Sequence, residues 1–335
     1  MLNKATQLLN RIANKFDSDD PLIVTPYRGY ASKEGFHIKG RVLENEGIFL
    51  EKDQSRIRTL IDNFKRFESD EIVGAKVNLA IRGRNYQAET DEEGYFEIRE
   101  AWQTPLSPDE NRWIAARVSL MDNQNQIVED ISTDAELFFP SANADFGVIS
   151  DVDDTVLQTH ATSLFRLKMI YSTFFLDPYE RLSMEGIHEV YAALEKGRDG
   201  KKENPIFYVS NSPWNIYDNI ETFLEFNKFP KGPVLLRDVG LQLLKNTHKT
   251  WGHKMQTISE ILEMYPDLPF IMLGDTASKD ADHYLDLANT FENRVNAIYI
   301  RHTKNTKNAR RIAELVESQT NVNIVLVKNS QEIRE

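Results

Sequence analysis

The hydrophobic positions of this chain change their spacing twice, and each pattern predicts a different kind of structure. In residues 2–16 they recur every three or four positions, as on one face of an amphipathic helix. Residues 22–137 contain short alternating segments separated by turn sequences, which is typical of antiparallel strands. Further along, short apolar runs alternate with helical segments, which is typical of an α/β sheet. The predicted parts are a helix over residues 1–20, a β-sandwich-like domain over 21–143 and an α/β domain over 144–335.

The alternating region predicts strands and one helix but no catalytic site. Residues 51–67 carry apolar positions at helical spacing, between the first two alternating segments. His37 stands by itself on a predicted strand, where a structural role is commoner than a functional one. The predicted strands cover residues 36–43, 75–81, 95–98 and 113–120. We expect this domain to be structural or to bind a partner.

The first helix has two interpretations. Lys4, Arg11 and Lys15 flank its apolar stripe, as in helices that lie on an anionic membrane surface. The same stripe forms when a helix packs on its own protein or on a second subunit, and we favour packing because it is the commoner cause. Peripheral membrane contact through residues 1–16 stays open as the second interpretation.

Composition narrows the classes of protein. A formal net charge of -12 does not favour nucleic acid as a partner. Because the 335 residues include no cysteine, disulfides, cysteine zinc sites and thiol nucleophiles are excluded. No apolar run has the length of a membrane span, and the first residues lack the continuous apolar segment of a secretory signal. We expect a cytoplasmic protein, and the sequence gives no oligomeric state.

Two carboxylates follow the first apolar run of the α/β domain. Residues 146–149 predict a buried strand, and Asp151, Asp153 and Thr155 follow it. Open α/β sheets bind ligands at this end of their strands. One carboxylate of such a pair can attack phosphorus while the other handles the proton of the leaving group. The alternative is an acidic turn, since aspartate is common in turns.

The next predicted strand, residues 205–209, ends at Ser210 and leads into a helix signal. Ser212 is a good N-cap and Pro213 a good first helical residue, which predicts a helix over residues 214–226. The Ser210 hydroxyl and the neighbouring amides are then placed to bind an anion. An ordinary capped helix is the alternative.

A basic segment precedes a further predicted helix. Lys254 lies at the start of that helix, against the helix dipole, which indicates a nearby anion, although a solvated lysine is the commoner cause. Lys249 is close by in the sequence and is the alternative lysine. His248 and His253 are five positions apart and do not share a helix face, so we expect polar surface roles for them.

Carboxylates gather again after the apolar strand of residues 268–275. Asp275 ends this strand, and Asp280 and Asp282 follow it. Grouped carboxylate oxygens suit Mg²⁺, a hard cation that keeps several waters. The alternative for Asp282 is to cap a helix that begins near Tyr284.

The order and spacing of these four junctions resembles the haloacid dehalogenase superfamily of phosphotransferases. Three motifs look more closely like the catalytic domain of the actin-patch-associated, Mg²⁺-dependent phosphatidate phosphatase family, over about residues 144–330. They are Asp151-Val-Asp153-Asp154-Thr155, Ser210-Asn-Ser212-Pro213-Trp214 and Gly274-Asp275-x₄-Asp280. The chain departs from the family at Thr276-Ala277-Ser278, where Ser-Gly-Gln is usual, and at Ala281-Asp282, where Pro-Glu is usual. These departures bear on the substrate rather than on the core chemistry.

The resemblance implies a role for each matched residue. Asp151 would be the nucleophile that forms an aspartyl-phosphate, and Asp153 would protonate the leaving oxygen and then activate water. Ser210, with the Asn211 amide, would hold a phosphoryl oxygen. Lys254 would neutralise charge on Asp151 and on the phosphoryl group.

The resemblance also implies a fold, a cofactor and a reaction. The fold would be a Rossmann-like haloacid dehalogenase domain with a parallel sheet. Mg²⁺ would be held by Asp275, the Asp151 carboxylate and the Asp153 carbonyl, with Asp280 as an outer-shell ligand. The expected reaction converts phosphatidate to diacylglycerol and phosphate. The alternatives are a phosphatase for a soluble or protein phosphoester, and a non-catalytic phosphate-binding protein.

Overall fold

A computed structural model of the chain divides into two compact units, Met1–Phe139 and Pro140–Glu335. The residues that it describes are 22–44, 72–107, 112–152, 187–237, 252–276, 279–302, 306–319, 322–327 and 332–333. The helices predicted over residues 2–16 and 51–67 lie outside these ranges. Within them, no helix is both long enough and apolar enough to cross a membrane.

Eight strands of the first unit join in one sheet that is mostly antiparallel. They are β1 (Leu22–Pro26), β2 (Gly29–Ala31), β3 (Gly35–Glu44), β4 (Lys76–Ile81), β5 (Arg84–Glu89), β6 (Tyr95–Ala101), β7 (Trp113–Met121) and β8 (Ile127–Phe138). The order is β1-β3-β2-β8-β7-β4-β5, with β6 paired to β3. The predicted antiparallel strands are therefore present. The sheet differs from the predicted sandwich because the strands form one hydrogen-bonded sheet and because β2 and β8 run parallel.

Two strands of this unit carry little hydrophobic signal and were not predicted. The side chains of β5 are exposed or half-buried along the whole strand, and most of those of β8 are as well. Backbone pairing with β4 and β7 holds both strands, and only part of each packs on the core, through Tyr86 and Ala88 of β5 and Ala135 and Leu137 of β8. A pattern of apolar positions cannot detect strands of this kind.

His37 links three neighbouring strands through polar contacts. Its Nδ1 lies 2.9 Å from the hydroxyl of the buried Tyr30 on β2, and its Nε2 lies 2.8 Å from Oε1 of Glu97 on β6. The hydrogen bond with His37 is the largest cause that lowers the pKa of Glu97 to about 2. These contacts give His37 a structural role.

The second unit contains a six-stranded, all-parallel sheet. Its strands are β9 (Gly147–Asp151), β10 (Ile206–Pro213), β11 (Val234–Arg237), β12 (Phe270–Asp275), β13 (Val295–Arg301) and β14 (Ile324–Val327). The helices are α1 (Ile187–Lys196), α2 (Tyr217–Phe226), α3 (His253–Met264), α4 (Asp280–Thr290) and α5 (Thr306–Ser318). The strands predicted over residues 205–209 and 268–275 are present in this sheet as β10 and β12, although β10 is longer than predicted.

The strand order β11-β10-β9-β12-β13-β14 grows outward from β9 in both directions. Sheets with this order bind ligands at the carboxyl ends of the strands, at the point where the chain stops adding strands on one side and starts adding them on the other. That point lies between β9 and β12. The finer haloacid dehalogenase arrangement stays a prediction, because residues 153–186 lie outside the described ranges.

Candidate active site

The carboxyl ends of β9 and β12 bring two predicted site residues onto neighbouring strands. Asp151 is the last residue of β9 and Asp275 the last of β12, and the two strands pair in parallel. Asp151 is 1% exposed and Asp275 is 0% exposed. Burying carboxylates is costly unless nearby groups compensate them. Their position therefore favours a functional site over an acidic surface turn.

Lys254 joins Asp151 to Asp280. Its Nζ lies 3.0 Å from Oδ2 of Asp151 and 2.5 Å from Oδ1 of Asp280. Lys254 is only 3% exposed and Asp280 only 1% exposed, so the whole group is shielded from water. The strand β9 and the first turns of α3 and α4 each supply one of the three side chains. The anion that the placement of Lys254 indicated is thus a pair of carboxylates.

Two carboxylates share this one ammonium group, and the pKa of Asp151 is raised to about 7. Loss of hydration is the largest cause, and the nearby Asp280 carboxylate adds to it, whereas the Lys254 ammonium acts in the opposite direction. Further positive charge beside Asp151 would favour its ionised form.

Gly274 makes room for Asp280 beside the sheet. A Cβ added at Gly274 would lie 2.7 Å from Cβ and Oδ2 of Asp280 and 2.9 Å from the ring of Tyr284. Tyr284 is fully buried, and its ring centroid lies 5.6 Å from Nζ of Lys254. Its hydroxyl donates a hydrogen bond to the carbonyl of Leu273 at 3.3 Å. Asp280 can therefore approach the sheet and contact Lys254 only because position 274 has no side chain.

We expect Gly274→Ala to lower the free energy of unfolding by about 1–3 kcal/mol, the range for overpacking a filled interior. The added methyl group would push Asp280 or Tyr284 out of place. Urea denaturation measures the change. Gly252→Ala is the matched control, because no atom lies within 4 Å of a Cβ added there. An unchanged free energy for Gly274→Ala would show that the Asp280 side chain is not fixed against the sheet.

Ser210 lies on the strand beside Asp151. Val209 is in register with Asp151, so Ser210 is one residue beyond that level on the neighbouring strand β10. Its side chain is fully buried, and its Oγ accepts a hydrogen bond from the Ser212 N–H at 2.9 Å. Asn211 is exposed. The two residues predicted to bind phosphate therefore lie at the same edge of the sheet as Asp151.

The predicted range 214–226 is helical, but the predicted cap at Ser212 and the helical start at Pro213 are wrong. β10 continues through Pro213, which pairs with Arg237 of β11. A 3₁₀ turn follows over Trp214–Ile216, and α2 begins only at Tyr217. Neither the turn nor the helix has a side-chain N-cap hydrogen bond. Pairing within the sheet overrides the local capping signal, so the predicted help from a helix N-terminus at Ser210 is lost.

The alternative that Asp282 caps a helix beginning near Tyr284 is also wrong. The helix α4 begins earlier, at Asp280, and no side chain caps it. Both carboxylate oxygens of Asp282 instead lie 2.9 Å from the guanidinium nitrogens of Arg311. This bidentate pair joins α4 to α5.

Ser150 and Tyr191 support the Asp151 backbone and were not predicted as site residues. Their hydroxyl oxygens are 2.6 Å apart, and both side chains are 1% exposed. The Ser150 hydroxyl also donates to the Asp151 carbonyl at 3.2 Å. A hydroxyl residue within an otherwise apolar run, directly before the predicted nucleophile, is the signal that could have identified Ser150.

Some predicted site residues lie outside the described ranges, namely Asp153, Thr155, His248 and Lys249. Across the described part of the chain, no three side chains of metal-binding type form a metal cluster. The donor chemistry of Asp151 and Asp275 still suits Mg²⁺, which proteins hold through one or two carboxylates while it keeps its waters. The outer-shell role of Asp280 stays a prediction, since the contact that the structure shows is with Lys254.

The geometry defines a class of protein. It is a parallel α/β domain with a buried carboxylate–lysine–carboxylate group at the carboxyl ends of its strands. Residues 146–302 match the family described as phosphatidate phosphatase APP1, catalytic domain. This match covers just under half of the chain, so residues 146–302 are similar to that catalytic domain. The resemblance predicted from the three motifs is thereby confirmed.

Two curated relatives are similar in sequence to parts of this chain. Phosphatidate phosphatase APP1 of Saccharomyces cerevisiae is 30% identical over 48% of this chain and 26% of its own length. An uncharacterized protein of Schizosaccharomyces pombe is 22% identical over 75% of this chain and 38% of its own length. The chain thus matches well under half of either relative. A carbohydrate acetylesterase from Xanthomonas citri, at 10% identity, covers 83% of this chain and 68% of its own with a TM-score of 0.29, too low to inform the fold.

Proposed function

We propose that this chain is a Mg²⁺-dependent phosphomonoesterase that converts phosphatidate to diacylglycerol and phosphate through an aspartyl-phosphate. The observation that carries the proposal is the buried contact of Lys254 with Asp151 and Asp280, next to Asp275 at the carboxyl ends of β9 and β12. The family match over residues 146–302 supports the same reaction.

Asp151 is the proposed nucleophile. One of its carboxylate oxygens attacks phosphorus, the phosphorus–oxygen bond to the leaving group breaks, and an aspartyl-phosphate results. The Ser150 hydroxyl, itself in contact with Tyr191, donates to the carbonyl of Asp151, which helps to keep this residue in position for attack. Lys254 offsets the negative charge that gathers on Asp151 and on the phosphoryl oxygens.

Asp153 is the proposed acid and base. It protonates the leaving oxygen in the first step and takes a proton from water in the second, when that water attacks the aspartyl-phosphate and releases Asp151. Ser210, with the Asn211 amide, binds a phosphoryl oxygen through both steps. The support for this role is that Ser210 lies at the same carboxyl edge of the sheet as Asp151, on the adjacent strand.

Asp275 and Asp151 are the carboxylates that would hold Mg²⁺, with the Asp153 carbonyl as a further ligand. When bound, Mg²⁺ would orient and neutralise the phosphoryl oxygens. Burial and the neighbouring Asp280 raise the pKa of Asp151 to about 7. A site that demands additional positive charge for an ionised nucleophile is consistent with a cation-dependent enzyme.

We expect phosphate release from dispersed phosphatidate with Mg²⁺ and none above background with excess EDTA. Phenyl phosphate and a phosphorylated peptide are assayed in parallel to test whether phosphatidate is the preferred substrate. Release from the peptide or from phenyl phosphate alone would contradict phosphatidate as the substrate and keep the mechanism. Release in EDTA would contradict the role of Mg²⁺. No release from any ester would contradict the enzyme proposal.

A further inference from the structure

Arg237 is a cation at the active edge of the sheet that the proposed mechanism does not use. It is the last residue of β11, two strands from β9, and it lies in register with Pro213 of β10. Pro213 follows Ser210 by three positions in the same strand. Arg237 therefore borders the segment that carries the proposed phosphate-binding residues.

The register places Arg237 on the same face of the sheet as Asp151. Asp151 is in register with Val209, and Val209 is in register with Leu235. Side chains of registered residues in a parallel sheet share a face, and residues two apart along a strand point the same way. Because Arg237 is two residues beyond Leu235, it points to the Asp151 face.

The Arg237 guanidinium has unused donors. Its Nε is shielded from solvent and makes no hydrogen bond, and no ion pair or hydrogen bond of this side chain occurs among the described residues. The side chain as a whole is half-buried. A shielded N–H without an acceptor is unfavourable, so an oxygen atom supplied by a ligand would satisfy it. Guanidinium groups pair with such oxygens through several N–H donors in a fixed plane.

Distance decides which part of the substrate Arg237 meets. Two strand spacings and two residue rises put the Cα atoms of Arg237 and Asp151 roughly 12 Å apart. Because both side chains rise from the same face of the sheet rather than towards each other, the Arg237 guanidinium lies to one side of the scissile phosphate and meets atoms beyond it. In phosphatidate those atoms include the ester carbonyl oxygens of the glycerol, which accept hydrogen bonds.

We propose that Arg237 is a specificity-determining residue that donates hydrogen bonds to oxygen atoms of the leaving group. The inference rests on the proposed phosphatase function and assigns recognition of the glycerol esters to this side chain. It predicts that Arg237 matters more for an ester whose leaving group carries oxygen acceptors than for one whose leaving group is a plain hydrocarbon ring.

The test compares a monomeric short-chain phosphatidate with phenyl phosphate, using purified full chain and Mg²⁺. We expect Arg237→Leu to lower the ratio of kcat/KM for phosphatidate to kcat/KM for phenyl phosphate by about 10- to 100-fold, the effect of one or two hydrogen bonds to a charged group. We expect the lower kcat/KM for phosphatidate to come mainly from a higher KM. Arg237→Lys keeps the charge without the planar fork and should give an intermediate ratio.

Arg310→Leu is the matched control, since Arg310 is 87% exposed on α5 and pairs only with Glu314 among the described residues. Thermal unfolding checks that each variant is folded. If Arg237→Leu does not fold, the kinetic comparison is made with Arg237→Lys. An unchanged ratio, or an equal loss on both esters, would overturn the inference while the parent enzyme still supports the proposed function. A parent enzyme that hydrolyses only phenyl phosphate would overturn both the phosphatidate proposal and this inference.

Discussion

Asp151→Asn is expected to lower phosphate release by at least about 10³-fold, because a carboxamide cannot replace a carboxylate as the attacking group. The variant should fold as the parent does. Lys254 keeps Asp280 as its partner at 2.5 Å, and the substitution removes a carboxylate that burial makes unfavourable. Steady-state kinetics with Mg²⁺ measures the loss. An acid quench with ³²P-labelled substrate should recover labelled protein from the parent and none from the variant.

The matched control is Asp145→Asn in the same unit. Asp145 is 55% exposed and bonds to Lys202 at 2.8 Å on the surface, so its loss should leave the rate within about twofold and stability within about 1 kcal/mol. A rate for Asp151→Asn close to that of the parent would show that another group attacks phosphorus. Labelled protein from this variant would show the same.

Strong local signals explain which parts of the fold the sequence predicts well. The strands β9 and β12 are buried on both faces, so each reads as a mostly apolar run, and Asp151 and Asp275 end these runs. The edge strand β5 packs on the core only through the partly buried Tyr86 and Ala88, and it therefore gives a weak pattern. In the same way, the cap signal at Ser212 is genuine, but pairing of Pro213 with β11 outweighs it.

The candidate site could be predicted residue by residue but not as a set of contacts. Lys254 attracts notice because a lysine is unfavourable at a helix start, yet its partners are far away in the sequence. Asp280 lies 26 positions later and Asp151 is on another element altogether. Only the packing of α3 and α4 against the sheet brings the three together. Arg237 gave no signal in the sequence, since its place beside β10 comes from strand pairing.

Lys254→Met is expected to lower the free energy of unfolding by about 3–5 kcal/mol at pH 8 in EDTA, the cost of removing one partner from a buried ionic group. Methionine keeps the length of the side chain and leaves Asp151 and Asp280 buried without the ammonium between them. Urea denaturation measures the change. Lys202→Met, which removes a surface partner of Asp145, is the control and should leave the free energy of unfolding close to that of the parent.

The loss in Lys254→Met should grow as the pH rises. In the parent, burial already raises the pKa of Asp151 from 3.8 to about 7, and removing the ammonium raises it further. A carboxyl group with a raised folded-state pKa stays protonated in the folded protein while the unfolded chain ionises, so stability falls with pH from about 4 to beyond 7. Adding Asp280→Asn removes one carboxylate and should recover part of the loss at pH 8. A loss that does not change between pH 4 and pH 8, or no recovery in the double variant, would contradict the view that Lys254 is held by charge.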